Sequence, residues 1–326
     1  MKRLLSGIKP TGDLTLGNYI GALKHFEEMQ KDYETLIFVA DLHALTVYND
    51  PKELKKKIRD IIAIYLACGL DPKYTTLFIQ SENMYHANLG WVFECNTYMG
   101  EASRMTQYKE KSSKEKNVTV GLFTYPMLMA SDILIYDADV VPVGIDQKQH
   151  VELARNIAER FNNKYGNTFK IPEPIIAKTG AKIYDLQNPT KKMSKTEEND
   201  KGVIILLEDP NIARKKIMSA VTDSESSVYY DVENKPGISN LLTIYASLKD
   251  ITIEEAETIF KDNNYGEFKR AVADVVVSFL NDLQDKYNKI ISDGSIDELL
   301  DQSNEKVRAI AKAKVEKVFS KVGVGR

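Results

Sequence analysis

Arg3-Leu4-Leu5-Ser6-Gly7-Ile8-Lys9-Pro10-Thr11-Gly12-Asp13-Leu14-Thr15-Leu16-Gly17-Asn18-Tyr19 runs from a strand through a loop into a helix. Arg3 to Ser6 reads as a short buried strand, and two glycines and a proline make the loop. Gly17 then opens an amphipathic helix with Ile20, Leu23, Phe26 and Met29 on one face. A glycine at a helix start lets a ligand approach the backbone, and the free N–H groups there attract phosphate.

The alternation continues outward. Thr35 to Val39 is an unbroken apolar run, as expected of a strand buried on both faces of a parallel sheet. Asp50-Pro51-Lys52-Glu53 starts a helix with Asp as N-cap, Pro at the first position and Glu at the capping-box place. That helix runs to Cys68 and stops at Gly69. Thr75 to Gln80 and Asp139 to Val143 read as further strands, with helical patterns across much of Ala87 to Ile135 and from Val151 to Lys164. Strands alternating with helices predict a doubly wound, Rossmann-like parallel sheet, an α/β fold whose ligands sit at the carboxyl ends of the strands. After residue 196 the pattern becomes helical, over Ile212–Ala220, Ile238–Leu248, Ile253–Phe260 and Tyr265–Ile291. The expected organisation is a catalytic domain at 1–196 and a second, all-helical domain at 197–292. A C-terminal helix at 293–326 should pack back on the body through Val307, Ile310, Ala311, Val315, Val318, Phe319 and Val322.

Between the two parts lies Lys191-Lys192-Met193-Ser194-Lys195-Thr196. Lys192 and Lys195 stand three apart, with the hydroxyls of Ser194 and Thr196 flanking the second, and flexible ammonium groups of this kind can close on a polyphosphate. A solvated cationic loop has the same composition.

Composition narrows the classes. The 326 residues suffice for a sizeable core and two domains. No apolar run approaches a membrane span, and the N-terminus lacks the pattern of a signal peptide, so a cytoplasmic location is expected. Cys68 and Cys95 form no Cys-x-x-Cys pair and lie in apolar helical segments, which predicts buried free thiols. No set of His, Cys and carboxylates has metal-ligand spacing. His25, His86 and His150 read as surface or packing residues. Net charge is −3, but Glu305 to Arg326 is locally basic, either a solvated helix face or a phosphate-contact patch.

Thr15-Leu16-Gly17-Asn18 and Lys192 to Thr196 together resemble the two signature motifs of class I aminoacyl-tRNA synthetases. The variant with Thr and Asn is similar to the bacterial tryptophanyl-tRNA synthetases. Matches to that family recur along the chain, in Asp41-Leu42-His43-Ala44, Arg104-Met105-Thr106-Gln107, Met129-Ala130-Ser131-Asp132-Ile133-Leu134, Gly144-Ile145-Asp146-Gln147 and Lys235-Pro236-Gly237-Ile238-Ser239-Asn240, among others. The resemblance implies a ligase that joins L-tryptophan to ATP, with Mg²⁺ on the phosphates, and passes the product to tRNA(Trp). It also implies a homodimer whose helical domain reads the anticodon.

Site residues follow from the same resemblance. Lys192, Lys195, Lys111, Thr15 and Asn18 are expected to act on the phosphates. Lys9, Pro10, Thr11, Gly17, Gly144, Ile145, Asp146, Ile183, Met193, Ser194 and Thr196 complete the ATP site. By sequence alone Lys111 also fits an ordinary surface lysine, and Asp146 fits a helix N-cap as well as a ribose partner. Asp132 is out of place in the apolar run Met127 to Ile135, since a buried charge is costly unless hydrogen-bonded. The family gives it the indole N–H, a donor that needs an acceptor. Leu5, Gly7, Met129, Val141 and Val143 would wall the ring, with His43, Tyr125 and Gln147 at its amino and carboxylate end. Lys9, Leu5 and Ile145 depart from the commoner Gln, Phe and Glu. A tyrosine enzyme shares the fold and motifs, and a non-catalytic RNA-binding relative would share the fold without the need for Gly17 and the lysines.

Overall fold

The computed structural model describes residues 1–113, 117–144, 147–176, 181–194 and 201–326. Strands β1 (Arg3–Ile8), β2 (Glu34–Val39), β3 (Thr75–Ile79), β4 (Val140–Val143) and β5 (Glu173–Ile176) form a parallel sheet in the order 3-2-1-4-5. The chain leaves β1 for one side of the sheet and later returns to its other side with β4. Such a reversal opens a crevice at the carboxyl ends of the two strands. β5 was not expected from sequence: it has four residues, includes Pro174, and lies at the sheet edge where a missing N–H is tolerated.

Between β1 and β2 lie α1 (Leu16–Asn18), a π-helical turn at Tyr19–Leu23 and α2 (Lys24–Met29). Then come α3 (Asp41–Ala44) and α4 (Pro51–Ala67) before β3, and α5 (Tyr85–Glu94), α6 (Met99–Ala102), α7 (Thr106–Ser112) and α8 (Val120–Leu134) before β4. α9 (Lys148–Tyr165) joins β4 to β5. The last helices are α10 (Pro210–Met218), α11 (Pro236–Lys249), α12 (Ile253–Phe260), α13 (Tyr265–Asp293) and α14 (Ser295–Val322). α4 begins on an Asp50 cap that accepts from Lys52 and Glu53 N–H, and Gly69 beyond its end has φ of 97°, a backbone only glycine adopts readily.

Strand side chains alternate between two cores. Leu5, Leu36, Phe38, Phe78, Val141 and Val143 share one with α5, α8, α9 and Val307, Ala311, Val315 and Val318 of α14. Ile37, Val39, Leu77 and Ile79 share the other with α4 and with α10 to α13. The basic residues of α14 largely fasten it down. Lys314 is buried and bonds Asp137 at 2.6 Å and Thr168 O at 3.0 Å, Arg308 donates to Glu82 O, and Lys321 to Tyr165 O. Of the cysteines, Cys68 is buried and Cys95 is exposed, because α5 ends there on an outer turn. No helix among the described residues is long and apolar enough to cross a membrane.

Candidate active site

A cavity of about 350 Å³ opens at the carboxyl ends of β1 and β4. Leu5, Gly7, His43, Tyr125, Met129, Asp132, Val141, Val143, Gly144 and Gln147 all line it, together with Lys9 and Lys111. Side chains spread from residue 5 to residue 147 therefore share one volume. Phe38 is also in the wall, and Gly7 is a glycine because a Cβ there would stand 2.6 Å from Phe38 Cζ.

Asp132 is the polar floor. It is 1% exposed, and α8 carries it into the cavity between apolar neighbours. Oδ1 accepts from Gln80 Nε2 at 2.7 Å and from His86 Nδ1 at 2.7 Å; Oδ2 accepts from His43 Nε2 at 2.7 Å. Burial pushes the Asp132 carboxyl up, yet the hydrogen bonds from His43 and His86 outweigh it and hold the group below the ordinary aspartate range. The floor is thus an ionised acceptor, with a lone pair of Oδ2 left for a donor from the cavity.

The upper part of the cavity is cationic. Lys9 Nζ donates to Thr46 Oγ1 at 3.1 Å, and Lys111 Nζ donates to Gln107 Oε1 at 3.0 Å while standing 5.2 Å over the Tyr125 ring. Burial, and secondly the charge of Lys111, lower the pKa of Lys9. A bound anion would relieve both effects. Tyr125 meets His150 Nε2 at 3.0 Å, and burial raises its phenol to about 12.

The remaining predicted residues gather at the start of α1 rather than in the cavity lining. Thr15 and Asn18 are engaged with each other. Asn18 Oδ1 accepts from Thr15 N–H at 2.9 Å and from its hydroxyl at 3.0 Å, while Thr15 Oγ1 accepts from Asn18 N–H at 3.2 Å. Thr15 is 1% exposed, so its hydroxyl is a helix cap rather than an open phosphate donor, and Asn18 offers only Nδ2. Pro10 is buried and Thr11 is exposed in the loop before them.

The lysine stretch is tied to this same corner. Met193 N–H donates to Ile183 O at 2.9 Å, and Asp185 N–H to Lys191 O at 2.9 Å. A Cβ on Gly17 would come within 3.3 Å of Met193 Cβ and 3.6 Å of Ile183 Cβ, so this contact admits glycine alone without a shift. Met193 and Ile183 are themselves buried core, anchoring a stretch in which Lys192 and Ser194 are exposed. Beyond it, Leu16 N–H donates to Ile204 O at 2.8 Å and Leu206 N–H to Leu14 O at 2.9 Å. The first motif is therefore held by the chain before and after the lysine stretch, at Ile183 and Met193 and at Ile204 and Leu206. Ile145, Asp146, Lys195 and Thr196 lie outside the described residues.

Sequence reading missed the groups that hold the floor. His86, read as surface or packing, is fully buried against Asp132, and its Nε2 meets Tyr136 Oη at 2.7 Å. His150 is likewise buried, beside Tyr125. Gln80 was placed at a strand end without a role. Only a carboxylate inside an apolar run signalled that such partners must exist. Among the described residues, no three His, Cys, Asp or Glu side chains gather as a metal site.

Comparison with known proteins identifies the family. Residues 1–281 match the family model of tRNA synthetases class I (W and Y). The tryptophan–tRNA ligase of Bacillus subtilis (strain 168) is 52% identical over 323 residues, covering 99% of this chain and 98% of that protein. The crystal structure of tryptophanyl-tRNA synthetase from Mycoplasma pneumoniae superimposes with a TM-score of 0.89 at 36% identity, over 100% of this chain and 98% of the other. That of the Campylobacter jejuni tryptophanyl-tRNA synthetase complexed with ADP and tryptophan gives a TM-score of 0.86 at 33% identity, over 99% and 100%.

Proposed function

The chain belongs to the class I tRNA synthetases of the W and Y family, and from that membership we propose that it is a tryptophan–tRNA ligase. The observation that carries the substrate is the ionised Asp132 at the base of an apolar cavity, one acceptor position facing a ring-sized space. An indole presents one N–H and no acceptor, which matches that floor. Leu5, Gly7, Met129, Val141 and Val143 hold the ring. His43, Tyr125 and Gln147 take the amino and carboxylate end, below Lys9 and Lys111.

Activation joins the tryptophan carboxylate to the α-phosphate of ATP and releases pyrophosphate. The nucleophile is already ionised at neutral pH, so the site's work is alignment and charge stabilisation. Lys9 and Lys111 lie where the carboxylate and α-phosphate meet. Asn18 Nδ2 and the backbone at Gly17 face the nucleotide, with Pro10, Thr11, Gly144, Ile145, Asp146 and Ile183 around its base and sugar. Lys192 and Lys195, with Met193, Ser194 and Thr196 as their frame, meet the departing pyrophosphate. Lys192 is exposed, and its proposed contact is with the phosphates, outside the cavity that takes the amino acid. No described cluster forms a metal cage, so we place Mg²⁺ on the phosphates as part of the nucleotide substrate.

The tryptophanyl group then passes to the terminal adenosine of tRNA(Trp). We assign anticodon reading to the helices of 197–292 and leave 293–326 as the helix that fastens the body, with the reaction in the cytoplasm. We further propose a homodimer. A groove beside the cavity exposes Leu45 at 69% and Trp91 at 67%, a costly apolar surface for a lone subunit. The deciding experiment is amino-acid-dependent ATP–pyrophosphate exchange followed by tRNA charging. Exchange with tryptophan and not tyrosine is expected; exchange with tyrosine would overturn the substrate, and none with either would overturn the activity.

A further inference from the structure

Behind the cavity floor lies a row of polar side chains that the activity does not account for. His86 is 0% exposed and does not line the cavity, yet its Nδ1 is 2.7 Å from Asp132 Oδ1. Its Nε2 is 2.7 Å from Tyr136 Oη, and Tyr136 Oη accepts from Asn83 Nδ2 at 2.9 Å. One set of directions satisfies every group in this row. Asn83 donates its amide N–H to Tyr136 Oη, and the phenol proton is satisfied when it is given to His86 Nε2. The imidazole proton is then on Nδ1, and it points at the carboxylate.

With Gln80 Nε2 also on Oδ1, both lone pairs of that oxygen are taken. Oδ2 has one donor, His43 Nε2. The carboxylate cannot turn about its long axis without breaking the Gln80 and His86 bonds, and its one remaining acceptor position is on the oxygen that shares the cavity with His43. We propose that His86, oriented by Tyr136 and Asn83, is a positioning residue that fixes this single acceptor toward the indole N–H and so sets selectivity for tryptophan. The inference rests on the tryptophan reading of the cavity. The charged and titratable groups facing Asp132 are His43 on α3, His86 on α5 and Tyr136 after α8. Once the His86 donor is gone, burial acts on Asp132 with one opposing histidine fewer, and a protonated Asp132 would offer an O–H in place of the acceptor.

The test is ATP–pyrophosphate exchange by the full chain with L-tryptophan and with β-(3-benzothienyl)-L-alanine, where sulfur replaces the indole N–H. His86→Phe should raise the tryptophan KM about 10- to 100-fold, as loss of a hydrogen bond to a charged group does, while kcat changes by less than about threefold. The analogue's KM should stay within about twofold in the same variant, because it makes no bond to Asp132. The acid limb of kcat/KM for tryptophan should move to higher pH. His86→Asn, whose amide N–H can take the place of Nδ1, should recover most of the loss. Tyr136→Phe removes one oxygen and should move the tryptophan KM in the same direction by about threefold, which keeps the test open if His86→Phe does not fold. Equal losses for both amino acids, or an unchanged tryptophan KM, would overturn the role of His86. A wild type that does not prefer tryptophan to the analogue would overturn the indole contact itself and the inference with it.

Discussion

A carboxylate at 1% exposure ordinarily takes up a proton, since desolvation penalises its charged form. Asp132 stays ionised because three N–H groups converge on it. Its pKa lies below the unfolded value, so the stability and the acceptor it supplies are present above that value and lost as pH falls through the folded pKa. Tryptophan affinity, followed by equilibrium dialysis, should therefore be flat from neutral pH downward until it falls below the ordinary aspartate value of about 3.9. A tenfold loss complete by about pH 5 would place the carboxyl pKa too high for this account. At this scale the sequence was informative where a residue conflicts with its neighbours, as Asp132 does in Met127 to Ile135. It was silent on His86, which lies 46 residues away on another helix and whose partners only the fold brings near.

The elements were legible in proportion to their length and capping. α4 carries its own Asp-Pro start and Gly stop, and α13 runs from an Asn264 cap to Gly294, so local chemistry marks both ends. The π-helical turn at Tyr19–Leu23 has no such mark, and β5 is too short to show a period. The lysine stretch stands between these cases. Its residues are of the kind we propose for a phosphate contact, but the attachment of Leu14–Leu16 to Ile204 and Leu206 beyond it depends on pairing across nearly 190 positions. Thr15, expected to meet a phosphate, is buried as a helix cap, because the first turn of a helix must satisfy its own N–H groups.

For the whole molecule, the two cores on the two sheet faces follow from strands that are apolar throughout, and the helices α10 to α13 were visible as a loss of strand pattern. Which helix covers which face was not, because amphipathic stripes do not name their partners. The exposed groove at Leu45 and Trp91 matters here, since His43 and Tyr125 line both that groove and the cavity. A second copy seated on the groove would brace His43 and Tyr125, which we propose contact the substrate. Sedimentation should show two chains per particle, and Trp91→Glu should give single chains with weakened tryptophan binding. A wild-type monomer, or a Trp91→Glu dimer, would contradict this arrangement.

The most direct measurement is the tryptophan KM of Asp132→Asn in ATP–pyrophosphate exchange. An amide at 132 has one oxygen for Gln80, His86, His43 and the indole, and it must set its own N–H₂ against at least one of those donors. The account predicts a tryptophan KM raised about 10- to 100-fold with the ATP KM unchanged. A tryptophan KM within about twofold of wild type would show that Asp132 does not read the indole.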